Sequence, residues 1–324
     1  MLKLYFVGDL HLHDVSPSSR IDDYSQAILD KLSQVFEKAK VNNIDAIIFE
    51  GDVFHKPSGI SVRYLNKVID VFKTAPCDCY SIIGNHDVQY GRIDDIGGTS
   101  LGVLFKAGLL KPLFSGVSSV SFMNGKVLVE GFNYGEDIST VCPCSNDALL
   151  RICVSHSYGE DISFGASDSS EYFKFNSMKP DVPFDVYILG HDHSYHDTID
   201  LYGGVSKLYR LGALSRATSS VTDTSREVQI LELDINEDGS YIPIPVHIDV
   251  EPAEACFSSL ALDKDMMSKR DRELINKSLE EVLANLDFSV KSSIFDILDS
   301  MKVSDEVKRT VERYLSNAFI VRKQ

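Results

Sequence analysis

Five short apolar runs in the first part of the chain end in residue types that commonly bind metal ions. Each run has the length of a buried β-strand. Because the carboxyl ends of strands in an open α/β sheet face the ligand crevice, these side chains can meet at one site although they are distant in sequence. The runs end at Asp9-Leu10-His11, Gly51-Asp52, Gly84-Asn85-His86-Asp87, Ser155-His156 and Gly190-His191-Asp192-His193.

The first half of the chain alternates between strand and helix patterns. Apolar residues recur with helical spacing over residues 28–39 and 65–72, and these stretches separate the apolar runs 4–7, 45–49 and 80–83. This β-α-β-α-β order favours a parallel sheet with right-handed crossovers.

Two hairpins are predicted in the second half of the chain. Asn124-Gly125, a strong hairpin signal, lies between the apolar runs 120–123 and 126–129. Residues 228–235 and 241–250 flank a polar stretch and form the second hairpin. We therefore expect an α/β fold in which a mixed β-sandwich is flanked by helices.

The end of the chain carries a different pattern, with apolar stripes typical of three amphipathic helices over 275–286, 294–301 and 307–318. We expect a main domain over residues 1–257 and a small helical domain over residues 258–324. The stripes fit two interpretations equally well. The helical domain could dock or cap another molecule, or it could pack against its own main domain.

Charge and cysteine content limit the classes of function. The 324 residues include 48 acidic and 32 basic ones, for a net charge of −16, which argues against a broad basic face for nucleic acid. No apolar run approaches the roughly 18 residues that cross a bilayer, so no membrane association is expected. Six cysteines without a secretion signal indicate reduced thiols and a cytoplasmic protein.

Taken singly, the polar residues after the apolar runs have simpler explanations, such as helix caps, turns and exposed loop positions. However, six of the nine histidines lie at or just past predicted strand ends, and metal binding explains this ordered set better. Two divalent ions would need a shared carboxylate, which Asp52 can supply, together with imidazoles and open positions for water and substrate. Water shared by the ions would ionise near neutral pH and become the nucleophile.

The ordered series of motifs resembles the calcineurin-like metallophosphoesterases over about residues 1–250. The resemblance implies that fold and a two-metal hydrolase. By resemblance, the first ion would be held by Asp9, His11, Asp52 and His193. The second would be held by Asp52, Asn85, His156 and His191. His86, paired with Asp87, would face the phosphate and assist departure of the leaving group.

The stretch Gly51-Asp52-Val53-Phe54-His55-Lys56-Pro57-Ser58 looks like the nuclease branch of this family, the SbcD-type subunit of double-strand-break repair complexes. In that branch a side chain at the position of His55 helps to orient the phosphodiester. The alternative for His55 is an ordinary loop residue. The resemblance therefore implies a DNA exonuclease or endonuclease in recombination or break repair, in a compact form that suggests a phage-encoded member acting in the host cytoplasm.

The same resemblance implies partners and cofactors. DNA would be the substrate, an SMC-like ATPase of the SbcC type would dock on the helical domain, and the protein could form a homodimer. Manganese is the expected ion for mixed imidazole and carboxylate ligands, with zinc and iron as alternatives. The expected basic contacts to DNA are Lys56, Arg63, Lys67, Arg92, Lys207, Arg210 and Arg216.

Two alternatives to a nuclease stay open. The first is a phosphatase or a small-molecule or cyclic-nucleotide phosphodiesterase with the same metal chemistry. The second is a scaffold without catalytic activity that recruits an ATPase.

Overall fold

A computed structural model describes residues 1–89, 91–114, 119–138, 141–145, 147–160, 172–174, 180–259 and 261–262. The chain divides into two compact units, Met1–Ser258 and Ser259–Gln324. The three helices predicted over 275–318 lie outside the described residues.

The secondary structure of the first unit follows the alternating pattern of the sequence. Two short 3-10 helices, Ile93–Gly98 and Met123–Gly125, accompany the strands and α-helices. In chain order these elements are β1 (Leu2–Val7), α1 (Tyr24–Asn42), β2 (Ala46–Phe49), α2 (Val62–Phe72), β3 (Asp78–Ser81), α3 (Ser100–Lys106), β4 (Lys111–Pro112), β5 (Ser119–Phe122), β6 (Val127–Phe132), β7 (Leu150–His156), β8 (Tyr158–Glu160), β9 (Tyr172–Lys174), β10 (Val186–Gly190), β11 (His196–Leu201), β12 (Ser206–Arg210), α4 (Val221–Ser225), β13 (Gln229–Ile235), β14 (Tyr241–His247) and α5 (Ala253–Cys256).

Two six-stranded mixed sheets form the centre of this unit. The first has the order β14-β13-β1-β2-β3-β4, and the second has the order β11-β12-β10-β7-β6-β5. In the first sheet β1, β2, β3 and β4 are parallel neighbours, while β13 runs antiparallel to both β1 and β14. This arrangement confirms the predicted α/β class with a mixed β-sandwich.

Side chains alternate between two cores along the central strands. In β1, Leu4 and Phe6 pack in the core shared by the two sheets, whereas Tyr5 and Val7 pack in the core that also contains apolar residues of α1, α2 and α3. Since both faces of β1 are buried, its sequence is a continuous apolar run and not an alternation of apolar and polar residues.

The second sheet combines a predicted hairpin with a parallel centre. The predicted hairpins β5–β6 and β13–β14 are confirmed as antiparallel pairs. The centre of the second sheet, β6-β7-β10-β12, is nevertheless parallel throughout. The strands β7 and β10 are buried on both faces, one face in the core between the sheets and the other in a third apolar cluster. The carboxyl ends of parallel strands from both sheets are therefore available to build one site.

Helix α1 shows how local signals set the element boundaries. Asp23 caps its start by accepting a hydrogen bond from the backbone N–H of Gln26 at 3.2 Å. Asn43 ends it in a left-handed conformation with φ 54°. None of the helices in the described part of the chain is long and apolar enough to cross a membrane.

Candidate metal centre

The residues predicted to bind metal lie at the carboxyl ends of five parallel strands. Asp9 and His11 follow β1, Asp52 follows β2, and Asn85 follows β3. In the second sheet, His156 is the last residue of β7, and His191 and His193 follow β10. Four of these side chains are at most 1% exposed, namely Asp9, His11, Asp52 and His156.

The backbone that presents these side chains is strained at three of the ligand positions. His11, Asp52 and His191 have φ values of 50°, 48° and 80°, a region that L-residues rarely adopt. Such a conformation costs about 1–3 kcal/mol per residue and persists where surrounding structure enforces it. Here the backbone N–H of His11 donates to the carbonyl of Asp52 at 2.9 Å, so two of the strained positions fix each other.

Two glycines permit the close approach of the ligand loops. A Cβ atom on Gly84 would lie 2.0 Å from Oδ1 of Asp52, and one on Gly51 would lie 2.7 Å from Nδ1 of His156. Gly51 also has φ 91°. The Gly-Asp and Gly-Asn-His-Asp motifs thus contain glycine because no larger residue fits between the loops.

The first group of ligand atoms comes from Asp9, His11, Asp52 and His193, which can place one donor atom each within 4.8 Å of one another. Nε2 of His11 lies 2.9 Å from Nε2 of His193 and 3.6 Å from Oδ2 of Asp52. Two imidazole nitrogens and a carboxylate oxygen therefore converge on one small volume. This is the set that the resemblance assigns to the first ion.

The second group contains Asp52, His156 and His191, again with donor atoms within 4.8 Å of one another. Nε2 of His156 lies 3.4 Å from Oδ2 of Asp52 and 3.1 Å from Oδ1 of Asn85. Asn85 thereby joins the set that the resemblance assigns to the second ion. Asp52 belongs to both groups, as a bridging carboxylate must.

Unsatisfied polar atoms show that these residues suit a pair of cations. Oδ2 of Asp52 and Nδ1 of His11 are buried and have no hydrogen-bond partner among the described residues. A buried polar atom without a partner costs about 1–3 kcal/mol, so such atoms are rare unless they bind something. Oδ2 of Asp52 is also the atom that lies between His11 and His156, where a bridging ligand is needed.

Three of the ligands have the protonation state that metal binding requires at neutral pH. Burial lowers the pKa of His11 well below its ordinary value and lowers the pKa of His191 to about 3, so both imidazoles are neutral and present lone pairs. Although burial opposes ionisation of Asp52, the neighbouring His156 holds the pKa of this carboxyl below its ordinary value. Neutral imidazoles and an ionised carboxylate are the ligand forms that divalent ions require. Against the effect of burial, the carboxylate of Asp52 raises the pKa of His156 to about 10, and burial raises the pKa of Asp9. A metal ion at this site would displace the proton of His156.

His86 and His55 lie beside the first group of ligands. Their rings stack with centroids 5.2 Å apart, and the ring of His86 is 4.8 Å from that of His11. Nδ1 of His86 lies 2.8 Å from the carbonyl oxygen of His55, which leaves Nε2 of His86 as the nitrogen that can reach a substrate. Both side chains are partly exposed, as groups that contact a substrate must be.

Asp87 has a different role from the expected pairing with the imidazole of His86. Its carboxylate accepts hydrogen bonds from the backbone N–H groups of Phe54 and Gly84, each at 3.0 Å. Asp87 is fully buried and therefore ties the loop after β2 to the loop after β3. The family resemblance implied the pairing, but the buried N–H groups needed an acceptor, and Asp87 supplies it. The described contacts of the Asp87 carboxylate are to backbone N–H groups, and the described contact of the His86 ring nitrogen is to the carbonyl of His55.

Three residues near the site were not identified from the sequence. Glu50 is fully buried, and neither oxygen of its carboxyl has a hydrogen-bond partner among the described residues. Burial, with the charge of Asp9 nearby, raises the pKa of Glu50 well above its ordinary value. The rings of Tyr134 and Tyr158 lie 5.3 and 4.0 Å from that of His191. The one signal for Glu50 in the sequence was the position of an acidic residue directly after the apolar run of β2.

A family model and several solved structures match this chain. The family model of the calcineurin-like phosphoesterases matches residues 2–195. No curated protein sequence matches the chain. Three solved structures are similar. An archaeal phosphodiesterase is 15% identical, with 76% of this chain and 100% of that chain covered and a TM-score of 0.37. A 5'-nucleotidase precursor from Thermus thermophilus is 13% identical, with 85% of this chain and 59% of that chain covered and a TM-score of 0.41, and a dimetal phosphatase from Danio rerio is 12% identical, with 76% and 99% covered and a TM-score of 0.48.

Proposed function

The chain belongs to the calcineurin-like phosphoesterase family, and from this premise we propose that it is a manganese-dependent DNA nuclease that works with an SMC-like ATPase. The family identifies a metal-dependent hydrolase with a dinuclear metal centre, and the two ligand groups that share Asp52 fit such a centre. We add three proposals to the family assignment: the substrate is DNA, the ion is manganese and the partner is an ATPase.

The observation that supports a phosphodiester substrate is the pair of imidazoles, His55 and His86. Their rings stack at a centroid distance of 5.2 Å on the side of His11 that faces the partly exposed mouth of the site. A diester carries substituents on two ester oxygens and must be oriented about both. Two adjacent donors can orient it, with His86 placed to stabilise the leaving oxygen and His55 placed to hold the phosphate.

Each part of the site then has a role. Asp52 would be shared by the two ions, and the remaining ligands would be Asp9, His11, Asn85, His156, His191 and His193. When bound, the metal pair supplies Lewis-acid chemistry that makes water a stronger nucleophile near neutral pH. Asp87 holds the loops after β2 and β3 together, so that His55 and His86 keep their relative positions.

Tyr134 and Tyr158 support a nucleic-acid substrate. Both rings are partly exposed and lie next to His191. Aromatic rings beside a backbone-binding groove stack on unpaired bases, at about 1–3 kcal/mol per base, without requiring a particular sequence. A nucleotide that is unpaired beside the scissile phosphate could therefore rest on these rings.

The expected basic contacts to DNA need one correction. Lys56, Arg63, Lys67 and Arg92 are exposed and can meet phosphates. Arg210 and Arg216 are 5% and 3% exposed, so they cannot. The three guanidinium nitrogens of Arg216 instead donate to the carbonyls of Asp223, Glu251 and Thr224. Lys207 forms an ion pair with Asp200. With four of the seven expected cations exposed and a net charge of −16, binding of DNA would gain from a partner that supplies positive charge.

The resemblance to the SbcD-type nucleases supports an ATPase as partner, and the chain itself has no Gly-x-x-x-x-Gly-Lys-Ser/Thr motif that would make it the ATPase. Residues 258–324 are the proposed docking segment. A pull-down of the SbcC-type ATPase with the full chain and with a chain that ends at residue 257 tests this. Loss of binding with retained phosphodiesterase activity is the expected result, and undiminished binding would contradict the docking role.

The substrate is tested by comparing linear double-stranded DNA, single-stranded DNA and p-nitrophenyl phosphate in the presence of manganese. We expect degradation of DNA by the wild-type chain and loss of about 10²-fold or more in His86→Ala. Asp52→Asn serves as the inactive control. Turnover of p-nitrophenyl phosphate alone would indicate a phosphatase instead. A metal content near zero that stays there on titration with manganese would indicate a scaffold without catalysis.

A further inference from the structure

Three imidazoles beside the first ion position form a group of their own. His11, His55 and His86 can place one nitrogen each within 4.8 Å of one another. The ring centroids are 5.5 Å apart for His11 and His55, 4.8 Å for His11 and His86, and 5.2 Å for His55 and His86. His11 also belongs to the group with Asp9, Asp52 and His193. Two sets of ligands therefore share one imidazole.

The second side of the His86 ring supports a role as a ligand. Imidazoles that bind metals usually donate their other N–H to a carbonyl or carboxylate, which fixes the ring and its tautomer. Nδ1 of His86 lies 2.8 Å from the carbonyl oxygen of His55, so Nε2 is fixed as the free nitrogen. The same backbone segment thus carries one ligand, His55, and orients another.

The two sets differ in chemistry. The set with Asp9 and Asp52 contains carboxylate oxygens, which suit manganese and magnesium, whereas His11, His55 and His86 offer nitrogen atoms alone. Nitrogen ligands favour zinc, nickel and copper, both by ligand type and by the general order of affinity of divalent ions.

We propose that His11, His55 and His86 form an alternative, all-imidazole position for the first metal ion, which zinc, nickel or copper occupies in preference to manganese. An ion at this position takes His55 and His86 away from the phosphate. Zinc-like ions therefore inhibit the enzyme, and manganese, which stays with the carboxylates, supports it. This inference rests on the metal-binding part of the proposed function and is independent of the substrate.

The decisive experiment measures binding of zinc and of manganese separately, by competition with a chelator, without DNA. The proteins are the wild-type chain, His55→Gln and the matched control His13→Gln. The control removes an imidazole whose ring lies 5.1 Å from that of His55 but which is outside the proposed set. We expect His55→Gln to weaken one of the two zinc equivalents by at least about tenfold, with manganese affinity unchanged within about twofold. His13→Gln should change neither. The unchanged manganese affinity shows that the variant is folded.

Three results would overturn the proposal. These are unchanged zinc affinity in His55→Gln, an equal loss of zinc and manganese affinity in that variant, and an equal loss of zinc affinity in His55→Gln and His13→Gln. A second measurement adds zinc to the manganese-loaded wild-type chain with bis(p-nitrophenyl) phosphate as substrate. Inhibition is expected, and hydrolysis at the manganese rate with zinc would also overturn the proposal. Absence of DNA cleavage alone would refute the proposed nuclease function and leave these binding results standing.

Discussion

Two of the buried polar regions among the described residues differ in how their polar groups are paired. The metal centre gathers carboxylates and imidazoles, and two of its buried atoms, on His11 and Asp52, lack hydrogen-bond partners among the described residues. The second region, which we call the buried cationic cluster, consists of Arg20, Lys31 and Arg216. Its side chains contact the segment that follows β12.

In the buried cationic cluster the donors are satisfied by the protein itself. Arg20 donates from Nε to Oδ1 of Asp22 at 2.7 Å and from Nη1 to the carbonyl of Arg216 at 2.5 Å. Lys31 donates to the carbonyl of Leu214 at 3.0 Å. These contacts hold residues 214–216, and Ser215 in turn donates its backbone N–H to the carbonyl of Asp9 at 3.2 Å.

The difference separates a structural polar cluster from a functional one. A cluster that only supports the fold pairs its buried groups, because each unpaired group costs stability. The metal centre has unpaired polar atoms and three strained backbone positions, and both lower the stability of the fold. A bound ligand would offset this loss. Changes in the first region should therefore affect activity, and changes in the second should affect stability.

The largest effect is expected for Asp52→Asn. The amide keeps the shape but cannot bridge two cations, so hydrolysis of bis(p-nitrophenyl) phosphate in manganese should fall by at least about 10³-fold. Circular dichroism should show a folded protein, because the amide oxygen can still accept the backbone N–H of His86 and because His156 can lose its proton once the carboxylate is gone. Activity near the wild-type level would remove Asp52 from the centre of the mechanism.

For Arg216→Ala we expect the reverse, a loss of stability of about 3 kcal/mol with the rate per folded molecule unchanged within about twofold. Three backbone carbonyls lose their charged donor in this variant. Urea unfolding measures the stability, and the manganese-dependent rate measures the activity. A drop in rate without a drop in stability would erase the distinction between the two regions.

Manganese itself should stabilise the wild-type chain against unfolding. A ligand that binds the folded state alone adds about 2.7 kcal/mol when its free concentration is 100 times the dissociation constant. Arg216→Ala should show the same gain, since its metal centre is intact, and Asp52→Asn should show little of it. Thermal unfolding with and without manganese gives all three values. An equal gain in Asp52→Asn would locate the binding elsewhere.

The smallest expected effect for a single step, about 1.4 kcal/mol for each pH unit, concerns Lys31. Burial, with a contribution from Arg20 nearby, lowers the pKa of Lys31 to about 7. In the unfolded chain this pKa is about 10.4. Between about pH 7 and about pH 10.4, Lys31 is protonated in the unfolded chain and deprotonated in the folded chain. Its contribution to the free energy of unfolding therefore rises by about 1.4 kcal/mol per pH unit in this range.

Lys31→Met removes this dependence. Stability measured by urea unfolding at pH 7.5, 8.5 and 9.5 should rise more steeply in the wild-type chain than in the variant. The difference between the two slopes isolates Lys31 from other groups that titrate in this range. Equal slopes would show that Lys31 is charged inside the fold.

Much of the architecture could be predicted because the signals are local. The apolar periodicity of α1 and the Asn124-Gly125 turn lie within a few residues of the elements that they define, and both elements are confirmed. The parallel centre of the second sheet could not be predicted with the same certainty. Its strands pair across long connections, and no local pattern records which strand lies next to which.

The candidate site divides in the same way. The types and order of the ligand residues can be predicted from the sequence. Each ligand lies at or just after the end of a strand, and glycine occupies the positions where the ligand loops approach closely. The roles of Asp87 and Glu50 depend on what lies opposite them after folding. Asp87 meets the N–H groups of another loop, and Glu50 lies in a space without a donor among the described residues.

The sequence by itself determined the ligand inventory, the strand ends that carry it and the excess of negative charge. Only the tertiary structure decided that Oδ2 of Asp52 lies between His11 and His156, at 3.6 and 3.4 Å, and that Arg216 is internal. The physical reason is that strand formation depends on neighbouring residues, whereas convergence depends on the packing of two sheets. That packing also determines which polar atoms are left without partners and are free to bind a metal ion.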